Sequence, residues 1–190
     1  MTTKTFLYGI AGVWMAVSLM ACGNKTSNSS NGSSSSENTP SAPTSVEQQA
    51  APSTASADDA PDFTLTDIQG KPLTLSSLRG KYVVLDFWGS WCVWCVKGMP
   101  KMKEYYSKYK GKFEIIGIDC GDTDGDWRKA VNDLQLPWLH VYCPDGSKVL
   151  EDYGIQGFPT KVVISPDGKV DHMVIGEDPK FYTYLDQILG

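Results

Sequence analysis

The chain is poor in several features that would define its class by themselves. Lys and Arg number 17 against 22 Asp and Glu, giving a net charge of −5 and no basic field that would hold nucleic acid. Only two histidines occur, His140 and His172, and neither has a catalytic partner nearby in the sequence. Five cysteines in 190 residues are too few to staple a small disulfide-built scaffold. Neither a nucleotide nor a flavin fingerprint is present, so any electrons the chain handles must come from elsewhere. There is no internal repeat. The cysteine count is odd, so at least one cysteine has a task other than pairing within the chain.

The first apolar stretch, Phe6 to Ala21 after Lys4, is shorter than the roughly 20 residues a bilayer-spanning helix requires. A basic start, an apolar middle and small residues at its end read as a signal peptide over residues 1–21. Leu19-Met20-Ala21-Cys22 resembles the lipobox of bacterial lipoproteins, which implies cleavage before Cys22 and lipidation of that cysteine. Acyl chains contribute about 0.8 kcal/mol per buried methylene, and several together hold a protein stably on a membrane. Cys22 is then the odd cysteine. The segment after it has no Leu, Ile, Phe, Tyr or Trp up to Pro61. Such a composition cannot offset chain entropy by burial, so 22–61 is expected to be a disordered tether with an r.m.s. reach of roughly 30–40 Å.

Residues 62–190 carry the core and alternate strands with helices. "DFTLTDIQGKPLTLSSL" reads as a hairpin around Gln69-Gly70, and "KYVVLDFWG" as a buried central strand interrupted by Asp86. A helix is expected over Cys92–Tyr109, with Pro100 inside it as a kink. "KFEIIGID", "PWLHVY" and "TKVVIS" are further strands, and Pro166-Asp167-Gly168 turns the last of them into a hairpin with "KVDHMVIG". Trp127, Val131 and Leu134 share one face of a helix capped at Thr123 or Asp124, and a closing helix is expected over Glu177–Leu189. The pattern predicts an α/β fold, a three-layer sandwich with a mixed central sheet and an N-terminal β-hairpin extension.

Cys92 and Cys95 stand where the central strand gives way to a helix. Two residues between them allow a disulfide ring to close without large backbone movement. Cys92 at the helix start meets unpaired N–H groups and the positive end of the dipole, which favour the attacking thiolate. Cys95, one turn further in, is the resolving thiol. Asp86 shares a strand face with Trp88 and is a candidate buried proton acceptor for Cys95. Trp91 and Trp94 are candidates for an apolar rim that contacts a partner.

Trp91-Cys-x-x-Cys after "VVLDFWGS", followed by "KGMPKM" and "YGIQGFPT", resembles the thioredoxin superfamily. Together with "APDFTLTDIQGKPLTLSSLRGK", it is similar to the TlpA/ResA type of envelope thiol-disulfide oxidoreductase. That resemblance implies a thioredoxin-like fold, Cys92 as nucleophile, Cys95 as resolver, Asp86 as the buried acid and Pro159 as a cis-proline. Phe158, Pro159 and Thr160 would then join Trp91 and Trp94 in binding substrate. It also implies no bound cofactor, disulfide-containing envelope proteins as substrates and an upstream membrane thiol reductase as donor. The expected location is the bacterial envelope, with a lipid on Cys22 in the membrane. Two departures stand out: Val93-Trp94 between the cysteines lacks the family's common proline, and Gly98 stands where related sequences often have Glu. Val93 and Trp94 offer Cys92 neither charge nor hydrogen bond, which points to a weak oxidant used as a reductant.

Two other chemistries fit parts of the pattern. A thiol peroxidase of the peroxiredoxin kind shares the "PDFTL" opening but has no use for a Cys-x-x-Cys pair. A zinc module would take Cys92, Cys95, His140 and Cys143 as ligands. Cys120 and Cys143 each follow a predicted strand and are a candidate second disulfide.

Overall fold

A computed structural model describes residues 58–190. The signal peptide over 1–21, Cys22 and nearly all of the tether lie outside the described residues. Seven strands form one mixed sheet: β1 (Thr64–Asp67), β2 (Pro72–Thr74), β3 (Tyr82–Trp88), β4 (Phe113–Cys120), β5 (Leu139–Cys143), β6 (Thr160–Ile164) and β7 (Val170–Ile175). Their spatial order is β2-β1-β5-β4-β3-β6-β7. Strands β3, β4 and β5 run parallel, while β6 and β7 on one side and β1 and β2 on the other are antiparallel additions. The hairpin expected as an N-terminal extension is therefore continuous with the main sheet, through the pairing of Thr66 and Asp67 with β5.

Four helices cover the sheet: α1 (Val93–Lys108), α2 (Asp124–Asp133), α3 (Val149–Asp152) and α4 (Pro179–Leu189). Alternation along β3 sorts the two layers. Val84 and Trp88 face a core built from Cys95, Met99 and Met102 of α1, Trp127 and Val131 of α2, and Phe181 and Leu185 of α4. Val83, Leu85 and Phe87 face the other core, with Leu75, Val149 and Tyr153. Both faces of β3 are buried, which explains its nearly continuous apolar run.

α1 runs through Pro100 as one helix. The closing helix begins two residues later than expected, because Asp178 caps it by accepting the Lys180 N–H and Pro179 fills its first position. The domain also begins before residue 62. Ala60 is buried and donates its N–H to Gly168, Asp59 bridges Lys169, and Asp58 accepts the Val170 N–H. Composition assigned these residues to the tether because backbone pairing along a sheet leaves no mark on residue type. Among the described residues no helix is long and apolar enough to cross a membrane.

Candidate active site

Cys92 and Cys95 are joined by a disulfide at the junction of β3 and α1, with Cα atoms 5.2 Å apart. Cys92 is the N-cap of α1, and its Sγ accepts the Cys95 N–H at 3.1 Å. That N–H is one of the orphan donors of a helix start, so the sulfur takes the place an Asp or Ser oxygen fills elsewhere. The same donor would favour a thiolate on Cys92 once the disulfide opens. Both cysteines are buried, Cys95 the more deeply at 2% exposure against 6% for Cys92.

A loop from the neighbouring strand braces this junction. Asp122 accepts from the Ser90 N–H at 2.6 Å and from its hydroxyl at 2.7 Å. Trp91 donates its Nε1 to the Cys120 carbonyl and meets the Phe158 ring edge-on, at 5.3 Å between centroids. Sequence reasoning passed over Asp122 because it reads as part of the acidic start of α2.

The predicted contact residues divide by exposure. Trp91 and Trp94 are exposed, and Val93 between the cysteines is exposed beside them. The Lys97 ammonium lies over the Trp94 ring, 4.7 Å from its centroid. Phe158 is half-buried, and the Phe158–Pro159 peptide bond is cis. Pro159 and Thr160 are buried, and the Thr160 hydroxyl donates to the Gly157 carbonyl.

Asp86 sits in a transverse row on the α1 face of the sheet. Register places it between Lys161 of β6 and Gly117 of β4, with His140 of β5 beyond. A Cβ on Gly117 would lie 2.8 Å from the His140 Nδ1, so that glycine makes room for the imidazole. The Lys161 Nζ is 3.6 Å from the Asp86 Oδ1 but hydrogen-bonds to Glu177 instead, leaving that Asp86 oxygen without a hydrogen bond. Burial pushes the Asp86 carboxyl above the ordinary carboxylate range, against the opposing pull of Lys161. Lys161 and Glu177 were missed from sequence. A lysine inside "TKVVIS" signals a buried partner, but nothing local names it.

A second buried carboxyl lies one step along. Asp119 pairs in register with Trp88, and burial, with Asp122 beside it, pushes it up to about 8. His140 is buried against Trp88 and Trp138, and burial lowers its pKa to about 4.

The structure brings Cys120 and Cys143 together as register partners on β4 and β5, but both are free thiols. Side chains in register on parallel strands project alongside each other from backbones about 4.8 Å apart. A disulfide needs Cβ atoms to close to about 3.8 Å. The contact between the two sulfurs raises the Cys120 pKa and lowers that of Cys143. The zinc ligand set is not assembled. His140 faces the core that holds Cys92 and Cys95, Cys143 faces the other core, and among the described residues no cluster fit for a metal ion exists.

Reversible closure of the Cys92–Cys95 ring is thiol-disulfide exchange, and the sheet that presents it has the thioredoxin-like arrangement; the molecule is a thiol-disulfide oxidoreductase. The chain belongs to the AhpC/TSA family, whose family model matches residues 57–173. It is 44% identical over 123 residues to the thiol-disulfide oxidoreductase ResA of Bacillus thuringiensis, covering 64% of this chain and 70% of that protein. Among solved structures it is similar to the thioredoxin domain of a thiol-disulfide oxidoreductase from Bacteroides vulgatus, at 32% identity and TM-score 0.65. That match covers 73% of this chain and all of the other. It is also similar to a putative thiol:disulfide interchange protein DsbE from Chlorobium tepidum, at 32% identity and TM-score 0.63, covering 71% of this chain and 95% of that one.

Proposed function

We propose that this protein reduces disulfides in proteins of the bacterial envelope, held at the membrane by a lipid on Cys22 and recharged by an upstream membrane thiol reductase. The observation that carries the mechanism is the placement of Cys92 as the N-cap of α1, with Cys95 buried one turn behind it. The Cys92 thiolate attacks one sulfur of the substrate disulfide, forming a mixed disulfide and expelling the other sulfur as thiolate. Cys95 gives its proton to the Asp86 carboxylate and attacks the Cys92 sulfur. The second substrate thiolate leaves, and the Cys92–Cys95 disulfide remains; the substrate has gained two electrons. Trp91, Trp94 and the half-buried Phe158 form the surface on which the substrate chain rests, with Pro159 and Thr160 setting the loop beneath it. A peroxidase reading needs only Cys92 and leaves the position of Cys95 without a task.

The test is reduction of a disulfide-bonded protein by the full chain. Wild type is expected to turn over with a chemical thiol as donor, and Cys92→Ser to lose activity. Cys95→Ser is expected to accumulate mixed disulfides that a small thiol releases. Activity surviving in Cys92→Ser would sink the mechanism. A reduction potential near about −120 mV, that of a strong oxidant, would reverse the proposed direction.

A further inference from the structure

Gly98 is buried in α1, one turn beyond Cys95, and the space its missing side chain would fill is taken. A Cβ built there would lie 2.2 Å from one Glu177 oxygen and 2.7 Å from the other. Glu177 comes from the segment between β7 and α4, and its carboxylate reaches this notch to hydrogen-bond Lys161 and accept from the Tyr182 hydroxyl at 3.3 Å. The Lys161 side chain is 2% exposed, and its ammonium stands between two carboxyl groups. Glu177 holds it by a hydrogen bond, and Asp86 is left at 3.6 Å with its nearer oxygen unbonded. Two acids thus compete for one buried cation, and the one that wins is outside the sheet.

We propose that Glu177 is a positioning residue for the exchange reaction: by holding Lys161 in the notch over Gly98, it keeps Asp86 free to accept the Cys95 proton. This rests on the reading of Asp86 as that acceptor. The groups facing Asp86 are Lys161 from β6 and Glu177 and Tyr182 from the α4 side, with the Cys92–Cys95 pair of α1 in the core on the same face; β4 presents Gly117 and, one step along, the Asp119 carboxyl, and β5 the more distant His140. Removing the Glu177 charge releases the ammonium to bond Asp86. Asp86 then ionises at lower pH but is a weaker base. Removing the Lys161 charge does the reverse.

The two effects have opposite signs, which general damage to the fold would not produce. The experiment uses the reduced full chain and 5,5′-dithiobis(2-nitrobenzoate), followed by stopped-flow absorbance. Attack by Cys92 releases one chromophore at a rate that depends on reagent concentration. Attack by Cys95 releases the second at a rate that does not, and the pH midpoint of that second phase is the readout. Glu177→Gln is expected to lower the midpoint by about one unit and slow the plateau, and Lys161→Met to raise the midpoint. Asp86→Asn is expected to remove the pH-dependent limb. Midpoints unchanged in Glu177→Gln, or moved the same way in both charge variants, overturn the proposal while Asp86→Asn still removes the limb. An intact limb in Asp86→Asn overturns the reading of Asp86 itself.

Discussion

Trp91 donates its indole N–H to the carbonyl of Cys120, tying the residue before the reactive sulfur to the end of the neighbouring strand at 3.0 Å. Gly89 and Gly121 make this approach possible: a Cβ on Gly89 would lie 2.3 Å from the Trp91 Nε1, and one on Gly121 3.2 Å from it. The motif loop is thereby fixed to β4 as well as to its own strand.

Replacing Trp91 by Phe keeps an aromatic ring, though a smaller one, and deletes the donor. Net loss of one such hydrogen bond is expected to cost about 1 kcal/mol in urea unfolding at neutral pH. Wild-type stability in Trp91→Phe would mean that the brace does not hold the loop.

Asp119 predicts a pH dependence of stability. Its carboxyl is pushed up to about 8 by burial, with Asp122 adding to the rise. An unfolded Asp ionises near about 4, so between these values the folded state holds a proton that the unfolded state has released. Its contribution is therefore present at low pH and is lost as pH rises through that window. Asp119→Asn removes the loss. Its stability relative to wild type should improve from pH 5 to pH 8, by on the order of 1–2 kcal/mol in denaturant midpoints.

The thiols can be counted. Alkylation of the oxidised chain in denaturant should label Cys120 and Cys143 but neither Cys92 nor Cys95. Cys22 should add a third label in protein made without lipidation and none in protein taken from the envelope. Mass spectrometry of the alkylated peptides reads both results. Loss of the Cys120 and Cys143 labels would show that they bond to each other in solution.

Gly98→Ala is a small change with a defined consequence. Its methyl group enters the space of the Glu177 carboxylate, so Glu177 must withdraw and loosen its hold on Lys161. The midpoint of the second exchange phase should move down, as in Glu177→Gln. Alanine favours a helix interior over glycine by about 1 kcal/mol, so any fall in thermal stability measures the clash against that gain.

The reactive pair was legible because its signals are local: a buried run, two cysteines and a helix start lie within fourteen residues, Tyr82–Cys95. The supports of the site were not. Lys161 and Glu177 lie 75 and 91 positions from Asp86, and only the pairing of β3 with β6 and the turn after β7 bring them beside it. Cys120 and Cys143 show the middle case. Their places at the ends of two predicted strands made them a candidate pair, but whether they bond depends on side-chain spacing, which strand order does not encode. The zinc set failed for a related reason, since His140 and Cys143 are an odd number of positions apart on one strand and so face opposite ways.

That alternation has a consequence for the catalytic cycle. Cys92 and Cys95 belong to the core on one side of the sheet, and Cys120 and Cys143 to the core on the other. The sheet insulates the two thiol populations from each other. Among the described residues, each sulfur liberated when the reactive pair opens has the other as its one partner on that side of the sheet, so mispairing with Cys120 or Cys143 would require the strands to part. The oxidised and reduced forms of the pair can thus interchange while Cys120 and Cys143 stay in place as thiols.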